Sequence, residues 1–238
     1  MIYVNGDSYT VMSGGKVYSD YLKEKLNTKS INAGIPGSCN SRIFRTSLRD
    51  LIELKKTEKD ITAIISLSFT IRSEVWDENI QPTKWKNSND GGFASYQFVT
   101  GLDWLSSTVF PSELKSYAKE WVTQYNIEAE TTTLLQQSVL LSNWCKLNNV
   151  RLILLSSCLQ EPVDFNTPFI KPFYDELFVD KNVINFFTSS FVDICKDFPR
   201  VSKHIQEIHG KKYDIGHINF QGHEYFANFL IENYLNEI

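Results

Sequence analysis

The sequence predicts a single three-layer α/β/α sandwich built on a mainly parallel sheet of about five strands. Three observations lead there. Short apolar runs at residues 2–4, 61–69 and 150–157 read as strands buried on both faces. Segments with helical spacing alternate with them, the order that places helices over a parallel sheet. The length of 238 residues, 42% of them hydrophobic, suits one ample domain.

Each element has its own warrant. Ile2, Tyr3 and Val4 form a compact β-favouring run that Gly6 ends. Tyr18, Tyr21, Leu22 and Leu26 recur at helical spacing among Lys, Glu and Asp, and Asn27 supplies a stop. A brief second strand around Ser30 and Ile31 leads into NAGIPGSCN, where two glycines and a proline mark a loop. Phe44, Leu48, Leu51 and Ile52 line one face of a second helix, and ITAIISLSF is the third strand. Residues 73–111 mix Trp76, Trp85, Tyr96, Phe98, Trp104 and Phe110 with Asn, Ser, Asp and Gly without a period, which predicts an aromatic-rich insertion or cap. Residues 112–148 read as helix and VRLILLSS as the fourth strand. The stretch 158–213 is broken by Pro162, Pro168, Pro172 and Pro199, with a short fifth strand expected near Val183. From Asn219 onward, Phe226, Phe229, Leu230 and Tyr234 mark a final helix.

Composition narrows the function. Net charge is −4 with basic residues scattered among acidic ones, so nucleic acid and anionic membrane surfaces are not expected partners. Cys39, Cys145, Cys158 and Cys195 are far apart with no C-x-x-C pair, which points to buried free thiols and to neither a zinc site nor a disulfide framework. His204, His209 and His223 show no metal-ligand spacing, and His223 is expected on the polar side of the last helix. No cationic and apolar leader precedes the first strand, and no apolar run spans a bilayer, so a cytoplasmic location at synthesis is expected.

In parallel α/β sheets ligands bind beyond the carboxyl ends of the strands. Ser8, the loop 34–40 and the segment 66–72 each follow such an end. A serine hydroxyl becomes a nucleophile when an imidazole removes its proton and an acceptor fixes that imidazole's tautomer. Asp214 and His217, three apart across a glycine before the last helix, offer such a pair. The nascent oxyanion needs fixed donors, for which the amides of Gly37 and Ser8 are candidates, with a side-chain donor from Ser68 or Asn40. Each signal alone has a plainer reading, since serines at strand ends mostly bond nearby amides and Asp-x-x-His occurs in ordinary turns.

Taken together, Gly6-Asp7-Ser8, the Asn32-x-Gly34-x-x-Gly37 loop and Asp214-x-x-His217 resemble the motifs of the SGNH or GDSL hydrolase superfamily of esterases and lipases, in order and over the whole chain. The resemblance implies a flavodoxin-like sandwich and a serine esterase in which Ser8 attacks, His217 is base and then acid, Asp214 orients it, and the Ser8 and Gly37 amides hold the oxyanion. Two departures stand out. SLSFTIR replaces the family's Gly-x-Asn-Asp, leaving Ser68 where an oxyanion asparagine is usual, and Tyr9 and Ile218 replace a leucine and a proline.

Arg72 either clamps an anionic substrate or braces its loop, and Asp7 is expected to bond amides beneath the serine. The expected substrate is a small-molecule or glycan ester, first of all an acetyl group on a carbohydrate, with no cofactor or metal required. Two rivals are an acyltransferase on the same scaffold and a non-catalytic carbohydrate-binding or structural module. The sequence does not set an oligomeric state.

Overall fold

The structure is a computed structural model that describes residues 1–70, 72–76, 93–97, 115–202, 205–208, 211–214 and 216–236. Strand β1 (Ile2–Asn5), helix α1 (Tyr18–Lys25), β2 (Ser30–Asn32), α2 (Asn40–Leu54) and β3 (Ile61–Leu67) follow one another as the sequence predicts. Strands β4 (Arg72–Trp76) and β5 (Phe93–Gln97) come next, then α3 (Lys115–Gln124), α4 (Ile127–Leu147) and β6 (Val150–Ser156). After them come α5 (Lys171–Phe178), α6 (Phe191–Ile194), β7 (Ile205–Ile208), β8 (Lys211–Asp214) and α7 (Phe220–Leu230), which runs on as a π-helical turn over Ile231–Leu235.

The central sheet has the order β2-β1-β3-β6, all parallel. Chain order reverses between β1 and β3: the chain moves outward to β2, then crosses back over β1 to β3. Such a switch point opens a crevice at the carboxyl ends of the two strands. Alternation along the strands divides the core. Tyr3, Ala63, Ile65, Leu67, Leu152 and Leu154 face Ile43 and Leu51 of α2, Leu134 and Leu141 of α4 and Leu177 of α5. On the opposite face Ile2, Val4, Ile64, Ile153 and Leu155 meet Leu22 of α1 and Phe226 and Leu230 of α7. Period-two alternation on a sheet covered on both sides gives three layers. Each fully buried Leu, Ile or Phe contributes about 1.5–3 kcal/mol.

The fifth strand shrinks to one bridge. Val183 pairs with Leu154 in parallel, held by Leu154 N to Asn182 O (3.1 Å) and Ile184 N to Leu154 O (2.8 Å). The helix expected over 112–148 is two helices, because Asn126 accepts from Glu128 N (2.9 Å) and Ala129 N (3.0 Å) and so starts a new one. Pro172 opens α5 instead of breaking the chain, since a helix's first turn needs no amide donor there. Within the expected insertion, β4 and β5 form an antiparallel pair from Arg72↔Gln97 to Trp76↔Phe93, and Trp85 and Trp104 lie outside the described residues. Among the described residues, no helix is long and apolar enough to cross a membrane. All four cysteines are buried and none forms a disulfide among the described residues, and burial pushes the Cys145 and Cys195 thiols up to about 12.

Candidate active site

Ser8 opens a 3-10 turn, Ser8–Thr10, directly beyond β1. Its carbonyl accepts from Val11 N (3.2 Å) and Met12 N (2.9 Å), and the residue is 7% exposed. Among the described residues, neither the Ser8 hydroxyl nor the Ser8 N–H makes a hydrogen bond. A shielded hydroxyl with no internal acceptor, beside a spare amide, is available to a bound molecule.

The preceding residue anchors that turn. Asp7 is fully buried, and its Oδ1 accepts from Tyr9 N (3.1 Å) and from Ser157 Oγ (2.8 Å). Its Oδ2 accepts from Ser68 Oγ (2.9 Å) and from Arg72 Nη1 (3.0 Å). Ser157 has given its proton to Asp7, so in its 2.9 Å contact with Ser66 Oγ it is the acceptor. A buried carboxylate is tolerable when it is paired and its lone pairs are filled, as here.

This arrangement corrects the expectation for Ser68 and favours one of the two roles expected of Arg72. Ser68 donates its hydroxyl proton inward to Asp7, so that hydroxyl is not a donor for an oxyanion. Arg72, besides Asp7, donates to Ser68 Oγ (2.7 Å) and Ser38 O (3.3 Å), and its guanidinium lies 5.0 Å from the Phe69 ring centroid. The guanidinium therefore braces the loops from beneath instead of presenting itself to a substrate. Asn40 is also turned to the scaffold: Nδ2 donates to Ser68 O (3.0 Å) and Oδ1 accepts from Ser68 N (2.7 Å), a two-point clamp between α2 and the end of β3. Gln160 Nε2 donates to the same carbonyl (2.9 Å).

Gly37 lies in a tight turn of the glycine loop. Ile35 to Ser38 form a β-turn closed by Ser38 N to Ile35 O (3.2 Å), with Pro36 second and Gly37 third at φ +80°. That is the pattern of a type II turn, which demands a left-handed third residue. A Cβ on Gly37 would meet nothing within 4 Å, and among the described residues its N–H has no acceptor. Gly34 is needed for closeness instead, since a Cβ there would fall 2.0 Å from Thr10 Oγ1. Ile35 N bonds Gly6 O (3.1 Å), and Asn32 Nδ2 bonds Thr10 O (2.8 Å), which ties the glycine loop to the serine turn.

His217 reaches the same region from the other end of the chain. Its ring packs on Tyr9, the residue after Ser8, with centroids 4.8 Å apart. Burial pushes the Tyr9 hydroxyl far above the ordinary tyrosine range, and the Cys158 thiol beside it adds to that shift. The main chain of His217 is clamped by the segment before β7: Val201 N donates to His217 O (2.8 Å) and Asn219 N to Pro199 O (3.0 Å). Ser202 Oγ accepts from His217 N (2.9 Å) and lies 2.8 Å from Nδ1. Asn219 then caps α7 by accepting from Gly222 N (3.0 Å). Asp214 ends strand β8, opposite Ile205, in a hairpin instead of a tight turn, and its side chain lies outside the described residues.

Sequence reasoning missed Ser202, Ser157 and Gln160. Ser157 and Gln160 follow the carboxyl end of β6, so the strand-end rule pointed to them. Ser202 has no local signal because its role arises from how two irregular segments pair. His223 was expected at the surface and is fully buried, with Nδ1 accepting from Tyr18 N (3.2 Å) and its ring stacked on Tyr18. Burial lowers its pKa to about 4. His204 and His209 lie outside the described residues. Among the described residues, no group of three or more His, Cys, Asp or Glu is placed to hold a metal ion.

No protein family profile matches the chain, and no curated protein sequence matches it. Solved structures similar to it include the acetyl xylan esterase AlAXEase, at 14% identity and TM-score 0.43 over 98% of this chain and 100% of that one. A G-D-S-L-family protein from Desulfitobacterium hafniense DCB-2 is 11% identical, with TM-score 0.43 over 95% of this chain and 97% of that one. LAE5, an alpha/beta hydrolase enzyme from the metagenome of Lake Arreo, Spain, is 12% identical, with TM-score 0.42 over 98% of this chain and 94% of that one. At these identities and scores the likenesses carry no functional weight.

Proposed function

We propose that this chain is a serine hydrolase of carboxylic esters, a member of the SGNH or GDSL kind that its motifs resemble. One observation carries the reading: His217 packs on Tyr9, next to Ser8, so the tail of the chain delivers an imidazole to the strand end that bears an unengaged hydroxyl. In this reading His217 Nε2 takes the Ser8 proton as Oγ attacks the ester carbonyl, and later returns it to the leaving alcohol. The spare N–H groups of Ser8 and Gly37 receive the oxyanion. Asp214 is the proposed orienting carboxylate. A small acyl group on a carbohydrate, acetyl first, is the substrate to try, and it rests on the motif resemblance alone.

The test is hydrolysis of 4-nitrophenyl acetate by the wild type and by Ser8→Ala, with labelling by a fluorophosphonate. Activity and labelling that both vanish in the variant support the reading, and equal rates in the two proteins end it.

A second reading, a non-catalytic binding module, draws on the inward-turned Ser68 and Asn40. With the Ser68 hydroxyl engaged and one of the two Asn40 amide hydrogens committed to Ser68 O, the set of side-chain donors for an oxyanion is reduced. Loss of one such donor lowers the rate by about 10²–10³ in a well-studied protease. Failure of the fluorophosphonate to label Ser8 favours this module.

A further inference from the structure

We propose that Ser202 is a positioning residue for His217, holding the imidazole through Nδ1 and through the histidine's own amide. This inference rests on the serine-hydrolase reading for its kinetic consequence, although its geometry stands apart from it. Segment 199–202 runs antiparallel to 217–219: Asn219 N bonds Pro199 O (3.0 Å), Arg200 and Ile218 form a bridge, and Val201 N bonds His217 O (2.8 Å). Ser202 comes next along this ladder. Its Oγ takes the His217 N–H (2.9 Å) and lies 2.8 Å from Nδ1 of the same residue. The two contacts fix the backbone and the ring plane together, while Tyr9 supports the ring from its face.

The chemistry of a hydroxyl then matters. An oxygen with two lone pairs and one proton can accept the His217 N–H and still choose its role toward Nδ1. When it donates, the neutral ring carries its proton on Nε2. When it accepts from Nδ1–H, Nε2 is bare and can receive a proton, and the serine's own proton turns to solvent, to which this half-buried residue has access. Once Nε2 has taken a proton both ring nitrogens are donors, and only the accepting state of Ser202 fits. Proton transfer to Nε2 thus begins and ends with Ser202 accepting from Nδ1–H, and the hydroxyl holds that tautomer without turning during the transfer. Nδ1 has one proton to give, so Ser202 and Asp214 compete for it, and Ser202 also holds the main chain of His217.

The test uses the full chain and four variants: Ser202→Ala, Ser202→Thr, Asp214→Asn and Ser8→Ala. Esterase rates on 4-nitrophenyl acetate are read with imidazole ¹⁵N shifts and thermal melting. Ser202→Ala is expected to lower kcat about tenfold to a hundredfold, the loss of one hydrogen bond to a charged partner. KM stays within twofold, and Ser202→Thr restores most of the rate. The ¹⁵N shifts of His217 change in Ser202→Ala, including in a Ser8→Ala background where no catalysis occurs. Rates within twofold of wild type for Ser202→Ala, with Ser8→Ala inactive, overturn the proposal and leave the hydrolase reading intact. If instead Ser8→Ala is as active as wild type, the hydrolase reading falls and the ¹⁵N comparison decides alone: unchanged shifts in Ser202→Ala overturn the proposal.

Discussion

Arg72 Nη1 lies 3.0 Å from Asp7 Oδ2, an ion pair closed off from solvent directly beneath the turn that carries Ser8. Neither residue is exposed enough for water to screen the pair, since the Asp7 side chain is 0% and that of Arg72 9% accessible. The pair ties β4 to the end of β1, and so the stability of the fold and the shape of the site depend on the same contact. Arg72→Met is expected to lower unfolding free energy by about 3–5 kcal/mol, because a buried carboxylate loses its guanidinium. Asp7→Asn combined with Arg72→Met should recover much of that loss in urea titration.

The two loop glycines separate closeness from conformation. Gly34→Ala forces a Cβ to 2.0 Å from Thr10 Oγ1, whereas Gly37→Ala meets open space and is opposed only by φ +80°. Left-handed backbone costs a non-glycine residue about 1–2 kcal/mol. Thermal melting should therefore fall further in Gly34→Ala than in Gly37→Ala, and Gly37→Ala should remain folded for kinetic assay.

His223 makes stability depend on acid. Its pKa is lowered by burial to about 4, against an ordinary value near 6.5 in the unfolded chain. Above pH 6.5 both states hold a neutral ring and nothing is lost. As pH falls from about 6.5 toward about 4, the unfolded chain binds a proton that the folded one refuses, and stability drops by up to about 3 kcal/mol. His223→Asn, which keeps an acceptor for Tyr18 N, should be less stable at pH 7 but lose less between pH 7 and 4, as measured by urea midpoints.

Asn126 is predicted to matter despite its exposure. Its side chain satisfies two amides at the start of α4, so Asn126→Ala should cost about 1 kcal/mol. Asn126→Asp should retain most of the stability, with the comparison made by chemical denaturation.

The sheet was legible because its signal is carried by consecutive residues. ITAIISL and VRLILLS are continuous apolar runs, and such runs become central parallel strands wherever helices cover both faces. The Asn126 break was missed because the helical spacing of Ile127, Leu134, Leu141 and Trp144 lies wholly within α4 and carries no mark of where that helix starts, which a single capping side chain decides. His223 was misplaced for a different reason. It lies among polar residues in sequence, but α7 rolls that position onto Tyr18 and Phe191, a tertiary fact with no one-dimensional trace. At the site, Ser8 and Gly37 were visible from strand end and turn chemistry. The inward commitment of Ser68, Asn40 and Arg72 was not, because a hydroxyl or amide can donate toward a substrate or toward Asp7 with the same sequence.

The strand-end hydroxyl of Ser8 and the imidazole of His217 come from segments far apart in the chain, and packing over the sheet is what brings them to one place. In the proposed reading, labelling by a fluorophosphonate therefore reports on the integrity of the whole fold and is lost together with it in a denaturant titration.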